Sequence, residues 1–185
     1  DWLKGKPDPS LDPSQLPGAG QNVPSQGGAT AGGRYTPILN VVGAAEGGYT
    51  SIAPNDENPD LTSMTIREAS QAVGIRKDNP GKGAIGRYQL TEPIRQAELA
   101  GLDVDKDIFS PANQDKIAIA LIKARGITAD MIINDPNEAG RRLAMEFAGL
   151  PVLEDTQGKE GPVKRGQSYY RGYNGNVARV EPEEV

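Results

Sequence analysis

The chain has 185 residues, with 20 Lys and Arg against 25 Asp and Glu, a formal charge of −5, and neither cysteine nor histidine. The missing residue types exclude disulfides, thiol nucleophiles, Ser–His and Cys–His catalytic pairs and histidine-ligated zinc, so acid–base chemistry must come from carboxylates. The acidic balance argues against nucleic acid, which needs a concentrated basic surface, and no apolar run is long enough to span a bilayer.

Residues 1–33 hold five prolines and seven glycines, with Trp2, Leu3, Leu11, Leu16 and Val23 as their sizeable apolar groups. That is too little apolar surface to offset the entropy of ordering, so an extended arm or linker is expected. The chain opens on Asp rather than Met, as a fragment or processed piece of a longer protein would, and no basic-plus-apolar leader is expected at its start. Residues 34–180 are expected to form one domain, followed by an acidic tail over 181–185.

Thr36 as N-cap and Pro37 at the first helical position predict a helix that Gly47 ends, with Ile38, Leu39, Val42 and Ala45 on one face. Residues 47–63 are turn-rich and predict an excursion or a small hairpin. Thr65 and Glu68 make a capping-box pattern before Ala69 and Val73, with Gly74 as the stop. Residues 76–86 read as a loop leading into RYQLT, a short extended piece. A helix over 92–100 is closed by Gly101. Ser110-Pro111 opens the strongest helix, ended by Gly126, with Ile117, Leu121 and Ala124 as its inner stripe. Thr128 caps a short helix to Ile133. Asp135 and Glu138 form a second capping box that opens a helix to about Ala148. From 154 onward the chain is Gly-rich and irregular. The fold class is therefore mainly α, with a small hairpin within 47–63 or 76–90.

Glu46 ends an apolar run at a helix C-terminus, where the macrodipole disfavours its charge, and burial beside Val42 and Ala45 would raise its pKa further. A carboxyl kept neutral near about pH 6–7 is what a proton donor to a glycosidic oxygen requires. Gly47 and Gly48 would let a polymer approach closely. The plainer alternative is a solvated glutamate on a helix end. In GAIGRYQLT (83–91), Gly86, Arg87, Tyr88 and Gln89 supply backbone freedom, a cation, an aromatic face and a neutral donor–acceptor, a set suited to acetamido sugars. Its plainer alternative is a turn capped by Thr91 with Tyr88 in the core.

Together, AEGGY (45–49) and GRYQL (86–90), in that order, resemble the phage peptidoglycan-cleaving muramidases of the lysozyme superfamily, especially the lambda-endolysin group. LTSMTIREA (61–69), FSPANQDKIAIALIKARG (109–126), FAGLP (147–151) and GQSYYRGY (166–173) extend the likeness over about 40–180, with Phe147 where the group carries tryptophan. The resemblance implies an α+β lysozyme-like fold, Glu46 as catalytic acid, and Tyr49, Tyr88, Gln89, Tyr169 and Tyr170 along the substrate groove. It also implies cleavage of the β-1,4 bond between N-acetylmuramic acid and N-acetylglucosamine by a lytic transglycosylase, which leaves a 1,6-anhydro-muramic end. No cofactor or metal is expected.

A hydrolase would need a second acid, for which Asp56, Glu57 and Asp60 are candidates. An inactive wall-binding or structural module is the remaining alternative. Peptidoglycan strands are the expected partner, and the arm over 1–33 is expected to lie along other phage structural proteins. That points to a virion-borne enzyme of the tail or tail tip, acting at the bacterial wall. Residues 159–179 carry Lys159, Lys164, Arg165, Arg171 and Arg179 against Glu160, a patch for peptide-stem or phosphate groups.

Overall fold

Six helices and two short hairpins make up the computed structural model, which describes residues 33–53, 56–74, 83–173 and 175–185. The arm expected over 1–33 lies outside the described residues apart from Gly33, as does most of the loop expected over 76–86.

Helix α1 (Thr36–Glu46) follows a 3-10 turn at Gly33–Tyr35. Tyr35 is already in helical conformation (φ −87°, ψ −7°), so the chain enters α1 wound and Thr36 is a helical residue rather than the expected N-cap. Leu39, Val42, Gly43 and Ala45 are buried, whereas Ile38 only borders the core. The excursion after α1 contains the expected hairpin, in which β1 (Ser51–Ile52) pairs antiparallel with β2 (Asp56–Glu57). A 3-10 turn (Pro59–Ser63) then leads to α2 (Ile66–Gly74). Its capping box forms, since the Thr65 N–H and hydroxyl donate to Glu68 Oε2 at 2.8 and 2.9 Å while the Glu68 N–H returns to Thr65 Oγ1 at 3.3 Å.

RYQLT is not the extended piece its composition suggests. Residues 86–89 form a tight turn closed by the Gln89 N–H on Gly86 O at 3.1 Å, with Ile85 and Leu90 paired across it. Ile85 also bridges Ile52, so this turn is stitched to the β1 hairpin. Gly86 sits at φ +74°, and a Cβ there would lie 2.3 Å from Gln114 Oε1.

Helix α3 (Pro93–Leu99) ends before Gly101 at φ +73°. Helix α4 (Pro111–Ala124), capped by Ser110 Oγ, runs to Gly126 at φ +69°. Its buried face is Gln114, Asp115, Ile117, Ala118, Leu121 and Ile122. Ala124 is not on it, and two polar side chains are. Thr128 caps α5 (Ala129–Asn134) through the Met131 N–H at 3.1 Å.

At α6 (Pro136–Glu146) only half of the second capping box forms. Asp135 Oδ1 takes the Glu138 N–H at 3.3 Å, but the Glu138 carboxylate turns to Arg141 and Arg142, both at 2.7 Å. Those two guanidiniums hold its pKa down at about 2. The helix stops at Glu146, because Phe147 turns extended (φ −114°, ψ 105°) and carries the chain across to α1. Beyond it, β3 (Thr156–Gln157) and β4 (Pro162–Val163) form a second hairpin that the composition did not announce. Pro182 of a final 3-10 turn is buried, and Val180 and Val185 pack on the core.

The centre of the core is formed by Leu61, Ile66, Ile85, Leu90, Phe109, Ile117, Ile122 and Leu150, drawn from α2, α4 and the segments between helices. Replacing Gly86 by alanine should lower the unfolding free energy by at least about 1–2 kcal/mol from the left-handed backbone alone. Denaturant titration of G86A against the parent measures that difference.

Candidate active site

The apolar face of α1 docks into the core and carries its last residue, Glu46, partly below the surface. Burial pushes the Glu46 carboxyl above the ordinary glutamate range, while the Gly149 N–H and the positive charge of Arg179 pull it part of the way back. The Gly149 N–H donates to Glu46 Oε1 at 2.7 Å. In turn Gly149 O accepts the Arg179 N–H at 2.8 Å, so one glycine links the acid to the C-terminal segment. A Cβ on Gly149 would come within 2.8 Å of Ala45 O and 3.0 Å of Glu46 Oε1, which makes the missing side chain a condition of the approach. The sequence reading used FAGLP only as a point of likeness and missed this role. A glycine in an otherwise apolar run was the available signal.

The turn over 86–89 reaches the same place from the other side. Gln89 is the one described non-glycine residue at positive φ (+47°), a conformation that costs about 1–3 kcal/mol unless its surroundings impose it. Its Nε2 donates to Gly86 O at 3.0 Å and lies 3.4 Å from where a Cβ on Gly47 would be. The structure therefore sets the Gln89 amide beside the residue that follows Glu46.

Two buried polar residues of α4 hold both segments. The fully buried Gln114 takes the Arg87 N–H on Oε1 at 2.9 Å and donates from Nε2 to Tyr49 O and Phe109 O, each at 3.0 Å. Asp115 Oδ1 accepts the hydroxyls of Tyr49 at 2.9 Å and Tyr88 at 2.7 Å. Tyr88 is 3% exposed, with its pKa raised by burial and by Asp115. Its ring belongs to the core and presents no open face to a sugar, which corrects the groove position expected for it.

Tyr49 is half-buried, with the Arg87 guanidinium 5.0 Å from its ring centroid. Arg87 lies against the bare Cα of Gly43, where a Cβ would be 2.2 Å from Nε, and that Nε is buried without a hydrogen-bond partner among the described residues. Arg87 is thus a strut between α1 and Tyr49 rather than a free cation.

Tyr169 and Tyr170 pack edge to face at 5.2 Å, and the Tyr170 hydroxyl donates to Met145 O at 2.7 Å. Their segment is joined to the acid's surroundings by Ser168, whose hydroxyl donates to Ala148 O at 2.8 Å. They brace the end of α6, one step removed from the Glu46 carboxyl.

A protein-family model described as Endolysin matches residues 36–177, about three quarters of the chain. The chain belongs to the endolysin family. No curated protein and no solved structure matches it. An endolysin is a phage lysozyme-like protein that degrades peptidoglycan, so peptidoglycan is the substrate class that membership in the family implies.

Within this endolysin-family domain the candidate second acids lie on the hairpin and the 3-10 turn that follow Glu46. Glu57 on β2 and Asp60 in the following 3-10 turn are exposed, and the Asp56 side chain lies outside the described residues. No group of three or more Asp or Glu gathers as a metal site among the described residues.

The cations of 159–179 are largely committed inside the protein. Lys164 pairs with Asp155 and Arg165 with Glu183, each at 2.6 Å, and Lys159 lies 3.4 Å over the Tyr173 ring centroid. Two of the five cations expected in the basic patch, Lys164 and Arg165, are thus ion-paired with carboxylates.

Two outcomes follow from the acid's surroundings. Gly149→Ala must displace the Glu46 carboxylate or the α1 backbone, and a misplacement near 1 Å costs about a hundredfold in rate. Peptidoglycan clearance by G149A should fall by about that factor while its circular dichroism stays that of the parent. Second, the folded-state pKa of Glu46 is raised, so its contribution to stability is complete below the unfolded pKa and lost as pH rises through the folded value. Glu46→Gln should consequently gain stability relative to the parent from about pH 4 upward. Paired denaturation curves at acidic and neutral pH read this difference.

Proposed function

We propose that this chain is a lytic transglycosylase that uses Glu46 as its single catalytic carboxyl on the β-1,4 bond between N-acetylmuramic acid and N-acetylglucosamine. The observation that carries the reading is a desolvated acid, its pKa raised by burial, held by the Gly149 N–H at 2.7 Å. A retaining hydrolase sets its two carboxyls about 5–5.5 Å apart and an inverting one about 6.5–9.5 Å apart.

In the protonated acid, Oε1 accepts the Gly149 N–H as a carbonyl oxygen and Oε2 carries the proton. That proton passes to the glycosidic oxygen as its bond to C1 of the muramic sugar breaks. The resulting carboxylate, favoured by the Gly149 N–H and by Arg179, then takes the proton of the same sugar's C6 hydroxyl as O6 closes onto C1. A 1,6-anhydro-muramic end and a free hydroxyl on the leaving sugar result, and no water is consumed. Burial suits the first half of this cycle, and the opposing bond and charge suit the second.

Gln89 would offer its remaining amide valences to the substrate's acetamido groups. Tyr49 would edge the groove, with Tyr88 supporting the turn from the core. Tyr169 and Tyr170, next to the Ala148–Gly149 segment, are candidates for the far wall. The Pro- and Gly-rich composition of 1–33 supports tethering to phage structural proteins in a virion. A net charge of −5 is compatible with that, because a tethered enzyme does not have to find an anionic wall by electrostatic steering. Hydrolysis with Asp56, Glu57 or Asp60 is the competing reading.

Digestion of purified peptidoglycan followed by mass analysis of the fragments separates them. Anhydro-muramic ends are the expected product. Reducing muramic ends would mean hydrolysis, and no release would leave a wall-binding module. Glu46→Gln should lower release by about 10²–10⁴-fold. Full activity in that variant would remove Glu46 from the mechanism.

A further inference from the structure

Beside the Glu46 region, a second feature has the chemistry of a binding site. A cavity of about 340 Å3 is lined from α3 by Arg95, Gln96 and Leu99, from α4 by Leu121, and from the end of α6 by Glu146, with Thr91 and Glu92 at the entry to α3. Glu46 is not among its lining residues. Leu121 is buried, whereas Leu99 is 45% exposed. The Glu146 side chain is only 9% exposed; its Oε2 accepts from Arg125 Nε at 2.6 Å, and its Oε1 takes no hydrogen bond among the described residues. Glu92 and Arg95 pair with each other at 3.1 Å.

The cavity shares its two flanking segments with the candidate active site. Thr91 is two residues beyond Gln89, and Glu146 is three residues before Gly149. At no more than about 3.6 Å per residue, these backbones lie within about 7 and 11 Å of each other. The segments that flank Glu46 and those that line the cavity are therefore close neighbours along the backbone.

We propose that this cavity receives the peptide branch of peptidoglycan, with the alkyl-ammonium arm of its diamino residue between Leu99 and Leu121 and the ammonium on Glu146 Oε1. This rests on the reading of the Glu46 region as a site for peptidoglycan. An aliphatic chain that ends in a cation matches a slot that sets two leucines, Leu99 and Leu121, beside the largely buried carboxylate of Glu146. A bound ammonium would also supply the second cationic partner that a carboxylate so far removed from water lacks, since Arg125 engages one oxygen alone.

The test uses the full chain and a synthetic wall tetrapeptide containing the diamino residue, with amide chemical shifts as readout. Shifts at Gln96, Leu99 and Glu146 are expected, and they should vanish when the side-chain amine of the peptide is acetylated. Leu99→Trp fills the slot from its exposed rim without touching the Glu146–Arg125 pair, and should abolish the peptide shifts. On wall digestion, L99W should raise KM about tenfold with kcat unchanged, and acetylating the wall's free amines should do the same to the parent protein.

Peptide shifts indifferent to acetylation, unaltered peptide binding by L99W, or the same shifts produced by a peptide-free N-acetyl-sugar oligomer would each overturn the proposal. If no protein cleaves any wall sample, the functional reading fails while the peptide titration still judges the cavity. If cleavage proceeds equally on native and acetylated wall, the cavity assignment fails and the activity stands.

Discussion

The 2.7 Å bond from the Gly149 N–H to Glu46 Oε1 joins two points 103 residues apart, and the site depends on it. A carboxyl removed from water without a donor would be driven toward permanent neutrality, useful as an acid and useless as a base. One backbone N–H and the more distant charge of Arg179 temper that shift. In the proposed mechanism that balance leaves the group able to give a proton and take one back. The bond in turn requires α6 to end at Glu146, Phe147 to turn extended and position 149 to carry no side chain.

Helix α4 supplies the second constraint. Its buried Gln114 and Asp115 make five hydrogen bonds: one to Arg87, two with the carbonyls of Tyr49 and Phe109, and two from tyrosine hydroxyls. Buried polar groups are tolerated when they are satisfied in this way, and a satisfied set specifies one arrangement far more sharply than apolar contact does. The loop after α1 and the turn over 86–89 are short and irregular. They owe their mutual placement to this pair of side chains rather than to regular secondary structure.

Much of this was legible in the sequence, because it is written locally. Capping residues such as Ser110 and Thr128, and glycine stops such as Gly101 and Gly126, announce helix limits wherever they occur. Glu46 at the end of an apolar run was legible for the same reason. What escaped were features decided by residues distant in the chain. Tyr88 reads as an aromatic face until Asp115, 27 positions on, captures its hydroxyl. Arg87 reads as a free cation until Gly43 leaves it a shelf. Gln114 and Asp115 themselves resemble an ordinary polar turn of an amphipathic helix, and only the packing of two loops onto α4 shows them to be interior. Gly149 belongs to the same class, since its value lies in whose carbonyl and carboxylate it approaches.

The last stretch of the chain carries a different lesson, about where the working unit ends. Family similarity stops at residue 177, yet Arg179 lies two residues further on, hydrogen-bonded through its backbone to the very glycine that holds the acid. Val180 and Val185 then close over the interior. A boundary drawn by shared ancestry would sever the electrostatic counterweight of Glu46 while sparing the helices. The folded unit must therefore be drawn by contact and charge, and it takes in Arg179, Val180 and Val185.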